Sequence, residues 1–213
     1  MSNQYFQTRF TVSPQRERVW KIICAYLQKF IPQQAKILDL GAGYCSLINN
    51  VRAAERHALD AFAGFVPFAQ AGVETHIGSC VDLGIFGKDY FDIVFASNLL
   101  EHLSPEAGVK MLAEISRVLK PNGRLIVIQP NFKYCYREYF DDYTHRQVFT
   151  HLSLADLLKA SGFIIERSEP RFLPFSFQSR LPKCPWLVGL YLKSPVRPFA
   201  KQMLLIAHPG GER

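Results

Sequence analysis

Apolar positions fall into two periods along this chain, and they switch at glycines and prolines. Val19, Ile22, Ile23, Tyr26, Leu27 and Phe30 recur every three or four residues, the period of one helix face. Ser13-Pro14 precedes them as an N-cap with proline at the first helical position, and Pro32 stops them, so a first helix is predicted to about Phe30. Short apolar runs follow. A strand is predicted over 36–41, a glycine turn, a helix beginning near Ser46, a strand ending at Asp60 and a short strand over Val73–Ile77. Phe91–Ala96 is a continuous β-branched and aromatic strand. Ser104-Pro105-Glu106 opens a helix whose face is Val109, Leu112, Ile115, Val118 and Leu119. Pro121-Asn122-Gly123 is a turn signal before a buried strand over Arg124–Ile128. Ser153 to Asp156 is a capping-box variant opening a helix that Gly162 closes, and Phe163–Ile165 and Gln202–Ala207 give two closing strands.

Strands and helices alternating at this spacing predict an α/β fold with a parallel sheet. One domain is expected over residues 1–213, with a core at 35–130 and an N-terminal cap at 1–30. A C-terminal substrate or lid region is expected over 131–200, with a closing strand at 201–208. The irregular segments 1–12, 131–152 and 170–200 are rich in Tyr, Phe, Arg and Pro, which predicts ordered caps rather than flexible linkers.

The chemistry concentrates in Ile37-Leu38-Asp39-Leu40-Gly41-Ala42-Gly43-Tyr44-Cys45 and, downstream, His57-Ala58-Leu59-Asp60. A buried strand running into a glycine turn, with a carboxylate about twenty residues on, is a nucleotide-type βαβ unit. Ser46 stands where a dinucleotide fingerprint needs its third glycine, which disfavours a nicotinamide-dependent oxidoreductase. The pattern Asp39-x-Gly41-x-Gly43 resembles instead the first motif of class I S-adenosylmethionine-dependent methyltransferases, with Cys45 at the family's final glycine. Gly78–Leu83 resembles the segment that receives the adenine, although Ser79 stands where the family often has an acid. Phe91–Leu103 resembles the fourth motif, and Leu119–Gly123 the turn before strand five. Asp141–His145, with a helix ending Ala160-Ser161-Gly162-Phe163, resembles bacterial members that methylate glycans or small molecules.

The resemblance implies a Rossmann-like, mostly parallel seven-stranded sheet with helices on both faces and an antiparallel last strand. It implies S-adenosylmethionine as cofactor, held by Asp39, Gly41, Ala42, Gly43, Asp60, Ser79, Cys80, Val81, Asp82, Ser97 and Asn98. Asp60 would accept hydrogen bonds from both ribose hydroxyls. For a hydroxyl acceptor the base is expected to be His145, with His102 and Asp142 as further catalytic candidates and Glu101 and Tyr143 beside them. Glu101-His102 resembles half of a Glu-x-x-Glu-His cation site, but Asn98 replaces the first acid, and no metal is expected. Nucleic-acid methylation and a cofactor-binding protein without catalysis are the alternatives. No flipped-base signature or nucleic-acid module accompanies the first of these.

Charge adds one element. The net charge is +7, and from Arg171 to the end seven Lys/Arg face a single acid, Glu212. A basic, aromatic C-terminal region suits an anionic or lipid-linked acceptor, or peripheral contact with an anionic membrane. The N-terminal residues lack an apolar leader core, and no apolar run reaches the roughly twenty residues of a membrane span. The five cysteines are scattered without a CxxC spacing. A cytoplasmic location is expected.

Overall fold

The computed structural model describes residues 13–174 and 185–211. Seven strands, β1 (Lys36–Leu40), β2 (Glu55–Asp60), β3 (Val73–Ile77), β4 (Phe91–Ser97), β5 (Leu119–Pro130), β6 (Phe163–Leu173) and β7 (Gln202–Pro209), form one sheet in the order β3-β2-β1-β4-β5-β7-β6. β3, β2, β1, β4 and β5 pair in parallel, and β7 runs antiparallel to both β5 and β6. This is the Rossmann-like, mostly parallel seven-stranded sheet expected from the sequence, with its antiparallel last strand.

The two faces of each strand are buried against different helices. Ile37, Ile93 and Ile126 share one core with Val19, Trp20, Ile23 and Leu27 of helix α1 (Pro14–Leu27). Their neighbours Leu38, Val94 and Leu125 share the other with Met111, Leu112, Ile115 and Val118 of α2 (Pro105–Val118). Leu154 and Leu158 of α4 (His151–Ala160) join that second core. Burial on both faces explains why these strands read as unbroken apolar runs. A single helical turn, α3 (Phe132–Cys135), and α5 (Pro185–Lys193) complete the elements, with α5 packed beside α1.

Several local expectations are corrected. No regular helix forms after Ser46; residues 43–50 are successive turns. Side chains there compete for the main chain. The Ile48 N–H hydrogen-bonds the Asp39 carboxylate, Asn50 Nδ2 donates to the Ser46 carbonyl at 2.8 Å, and Asn49 Nδ2 donates to the Phe68 carbonyl at 2.8 Å. The cap of α4 is Thr150 rather than Ser153: the Thr150 hydroxyl accepts from the Ser153 N–H while the Ser153 hydroxyl accepts from the Thr150 N–H. Val109 faces solvent, and Met111 takes its place in the core. Pro121-Asn122-Gly123 does not end an element. It bulges out of β5, where the register with β4 jumps from Phe91↔Leu119 to Ile93↔Arg124. The stretch expected to be irregular after residue 170 instead continues β6 to Leu173 and contributes α5. Residues 1–12 of the expected cap lie outside the described residues, as do Arg180 and Lys183 of the basic region.

Candidate active site

The strand order reverses beside β1, with β2 on one side and β4 on the other, and a crevice opens there at the carboxyl ends of the strands. A cavity of about 680 Å³ occupies it, within the size range of small-molecule sites.

One wall is the glycine turn. Gly41, Gly43 and Cys45 all adopt positive φ, at 74°, 52° and 57°. A Cβ on Gly41 would stand 3.1 Å from Leu99 Cδ1. Main chain therefore reaches the cavity surface where a side chain would fill it. Cys45 holds a left-handed conformation that glycine takes without strain. Its thiol is fully buried, and burial pushes its pKa up to about 12, so it is inert at neutral pH.

Asp60, at the end of β2, is held in place by that turn. One carboxylate oxygen accepts the Gly43 N–H at 3.0 Å, and the other accepts the Phe62 N–H at 2.9 Å. Both oxygens keep a further lone pair for a diol. Asp39 also lines the cavity but is 3% exposed. Burial pushes its carboxyl up to about 7 against the Ile48 N–H, and the Asp60 charge pushes it further the same way. A buried carboxylate facing a cavity favours a cationic ligand. Close main chain, a fixed diol acceptor and a buried anion fit a cofactor carrying ribose, an ammonium and a sulfonium.

Ser79, Cys80, Ser97 and Asn98 also line the cavity, as expected from the sequence. Asn98 has φ 50° and is fixed by Gln202 Nε2, which donates to its Oδ1 at 2.9 Å. Val81 and Asp82 do not line it. The Asp82 carboxylate turns back to accept the Gly84 N–H at 3.1 Å, and its charge acts on Arg117.

The far wall brings together residues that lie far apart in the chain. The Arg146 and Gln147 N–H groups donate to the Glu101 carbonyl at 2.8 and 3.2 Å, which stitches the 142–147 loop to the turn at Leu100–His102. His102, Leu103, Tyr143, Thr144 and Arg146 line the cavity there. His145 and Asp142 do not. The loop turns His145 inward, where its Nδ1 donates to the Tyr139 carbonyl at 2.6 Å and its ring lies 4.9 Å from that of His102. Asp142 Oδ1 accepts the Thr144 N–H at 3.0 Å and the Thr144 hydroxyl at 2.6 Å. With its proton committed to Asp142, the Thr144 hydroxyl accepts from His102 Nδ1 at 2.9 Å. That fixes the His102 tautomer and leaves the lone pair on Nε2. Burial, reinforced by His145, pushes the His102 pKa down to about 4.

Glu101 is completely buried behind this wall, and among the described residues no hydrogen bond from any other residue reaches its carboxylate oxygens. Burial pushes its carboxyl up to about 8.

The sequence reading missed the contribution of α1. Arg16 and Trp20 line the cavity, and Ser46 Oγ donates to Glu17 Oε1 at 2.6 Å, tying the helix to the glycine turn. Trp20 fell outside the apolar set chosen for the helix, and no motif singled out Arg16. Among the described residues, none from 171–201 lines the cavity. Several of the bases there have local partners. Arg197 pairs with Glu169, Lys201 Nζ lies 2.6 Å from Glu138, and Arg171 stacks 4.2 Å over the Tyr134 ring.

Comparison with known proteins agrees with this geometry. Residues 38–127, which run from β1 into β5, match the family model described as a methyltransferase domain. Residues 38–127 thus carry the match to a methyltransferase domain, and in fold the chain is similar to class I S-adenosylmethionine-dependent methyltransferases. A phosphoethanolamine N-methyltransferase from Plasmodium falciparum is 27% identical over 148 residues, which cover 62% of this chain and 54% of that protein. The chain thus matches about half the length of that relative. The solved structure of a SAM-dependent methyltransferase from Archaeoglobus fulgidus superposes with a TM-score of 0.67 at 17% identity, covering 97% of this chain and 100% of the other. The Burkholderia thailandensis 1,6-didemethyltoxoflavin-N1-methyltransferase, solved with its substrate and S-adenosylhomocysteine, gives 0.61 at 22% identity, with coverage of 92% and 80%. At these identities the structural likeness concerns the fold. Among the described residues no helix is long and apolar enough to cross a membrane.

Proposed function

We propose that this chain transfers the methyl group of S-adenosylmethionine to a hydroxyl of a small-molecule or glycan-type acceptor that carries an anionic group. The reading rests on one observation. A single cavity runs from the glycine turn and Asp60 to a second wall of His102, Tyr143, Thr144 and Arg146. The first wall suits the cofactor, and the second suits an acceptor.

When bound, the cofactor supplies an activated methyl on a sulfonium. Asp60 accepts the ribose hydroxyls, and the Gly41–Gly43 main chain lies along the methionine portion. Asp39 opposes its positive charge. Buried Trp20 and Leu99, with half-buried Leu103, exclude water from that side. Holding the acceptor oxygen in line with the methyl accounts for much of the rate. Arg146 provides a planar donor pair for a phosphate or carboxylate on the acceptor. His102, rather than His145, meets the acceptor oxygen, with Thr144 and Asp142 positioning its ring. His145 supports His102 from behind.

Labelled methyl transfer across a panel of phosphorylated and carboxylated alcohols and glycans tests this reading. Turnover on an anionic hydroxyl acceptor, reduced at least tenfold by Arg146→Ala through KM, is the expected result. Binding of NAD and not S-adenosylmethionine in calorimetry would overturn it.

A further inference from the structure

The far wall holds a buried carboxylate for which the proposed methyl transfer has no use. Glu101 has 0% exposure, and among the described residues no hydrogen bond from any other residue reaches its side-chain oxygens, its own N–H being the one donor beside them. An unpaired carboxylate in a protein interior is costly, so a native one calls for a partner. Its neighbours suggest one. Glu101, His102 and His145 each offer one ligand atom, and the three atoms lie within 4.8 Å of one another.

The two imidazoles are oriented alike. His145 Nδ1 donates to the Tyr139 carbonyl at 2.6 Å, and His102 Nδ1 donates to the Thr144 hydroxyl, itself anchored on Asp142. A carbonyl can only accept, so His145 carries its proton on Nδ1 and its lone pair on Nε2. The hydroxyl network fixes His102 in the same form. Metal-bound histidines are held this way, with the ring nitrogen that does not ligate giving its proton to a carbonyl or a carboxylate relay.

We propose that Glu101, His102 and His145 form a binding site for a divalent transition-metal ion at the acceptor end of the cavity. Two imidazoles and one carboxylate suit zinc, manganese, iron(II) or cobalt, and suit magnesium or calcium poorly, since those prefer oxygen ligands. Ligands about 2.1 Å from an ion stand roughly 3.4 Å apart in a tetrahedron, so binding needs only a small inward adjustment of the side chains. Of the three, His102 alone also lines the cavity, so an ion held here would reach an acceptor beside His102. The Glu-x-x-Glu-His spacing lacks its first acid at Asn98. The third ligand comes instead from position 145, brought in by the hydrogen bonds of Arg146 and Gln147 to the Glu101 carbonyl.

The ion's role in turnover rests on the methyl-transfer reading, whereas its binding does not. With Nε2 on the ion, His102 would no longer meet the acceptor oxygen itself; the acceptor hydroxyl would instead bind the ion and lose its proton to solvent water more readily. The oxygen then forms the new C–O bond as the C–S bond breaks, leaving a neutral thioether.

Cobalt(II) titrated into the metal-free protein is the test, read by visible absorption and by thermal melting. One equivalent is expected to give d–d bands and raise the Tm. Glu101→Gln is expected to melt no lower than the parent without metal, because it removes an uncompensated buried carboxylate. It should lose at least tenfold in cobalt affinity, as should His145→Gln. A second cluster, His57, Glu74 and His76 on β2 and β3, could also take cobalt, so the titration is repeated in His76→Ala, where the signal should persist. Absence of the bands, their loss in His76→Ala, or parent-like affinity in Glu101→Gln and His145→Gln would each overturn the proposal. S-adenosylmethionine calorimetry on the metal-free protein separates this failure from failure of the methyl-transfer reading.

Discussion

Asp39 and Asp60 are both cavity carboxylates, yet their surroundings assign them different work. Asp60 is fixed by the Gly43 and Phe62 N–H groups, so Asp60→Ala removes the diol acceptor and orphans two donors. Cofactor binding is expected to weaken by about 1.5–3 kcal/mol in calorimetry. Asp39 is buried, and its pKa is raised to about 7. Below about pH 4 the carboxyl is protonated both folded and unfolded and costs nothing. As pH rises from there to about 7, the unfolded form ionises first, so stability falls; above 7 the penalty is constant. Asp39→Asn is therefore expected to match the parent in denaturant melts near pH 4 and exceed it at pH 8, while binding the cofactor more weakly. A parent that gains stability between pH 4 and 7 because of this group would refute the assignment. Gly41 carries a different constraint, since φ 74° and the 3.1 Å approach to Leu99 both exclude a side chain. Gly41→Val is expected to cost about 2 kcal/mol or more in stability and to abolish cofactor binding. These residues were legible in the sequence because strand-end position and spacing identify them. His145 turns away from the cavity, an orientation that no spacing rule reveals for a loop histidine.

Elements with a clean period and a local cap could be read closely, and the rest could not. α1, α2 and the parallel strands follow from apolar runs bounded by Ser-Pro, Gly and Pro. The turns after Cys45 look helical in sequence, but the Asp39 carboxylate takes the Ile48 N–H, and a competition 9 residues away is invisible locally. The start of α4 was displaced because Thr150 and Ser153 cap reciprocally. Thr150→Ala removes the hydroxyl that accepts the Ser153 N–H, while the Thr150 N–H still reaches the Ser153 hydroxyl, and is expected to cost about 1 kcal/mol, a Tm fall of about 2–4 °C for a chain of this size. The far end of β6 depends on a long-range set. Burial raises the Glu169 carboxyl, but Arg197, Arg167 and the Tyr26 hydroxyl, which donates at 2.9 Å, outweigh it and hold its pKa below the usual range. A depressed folded pKa contributes stability above the unfolded value of about 4.3 that is lost as pH falls through the folded one. Glu169→Gln should therefore narrow the stability gap between pH 6 and pH 3. An unchanged pH profile would mean that this network does not hold the segment after α5 against α1.

The whole molecule places its functional walls on different parts of the chain, and this is where sequence reading reached its limit. The wall proposed for the cofactor comes from β1, β2 and their loops, contiguous enough to leave a motif. The wall proposed for the acceptor joins residues 101–103 to 143–146, and α1 closes the side with Arg16 and Trp20. Only the folded sheet brings these together. The basic region expected to form a lid is otherwise engaged where it is described: Leu192 is buried with α1, and Arg197 and Lys201 are paired with acids. A site assembled from three separate stretches couples cofactor binding to the stability of the whole fold. Ligand bound to the native state alone stabilises it by mass action, about 2.7 kcal/mol at a hundredfold excess over the dissociation constant. For a chain of this length that is a Tm rise of about 5–11 °C with S-adenosylhomocysteine. Asp60→Ala at the same ligand concentration should recover only a fraction of it, because the excess over its own dissociation constant is smaller. Trp20→Ala provides the sharper test, since Trp20 lies on α1, outside the motif-bearing strands. If α1 is part of the site, the ligand-induced rise should shrink in that variant beyond what its lower starting Tm explains. A full rise in Trp20→Ala would show that the strands and their loops bind the cofactor without α1.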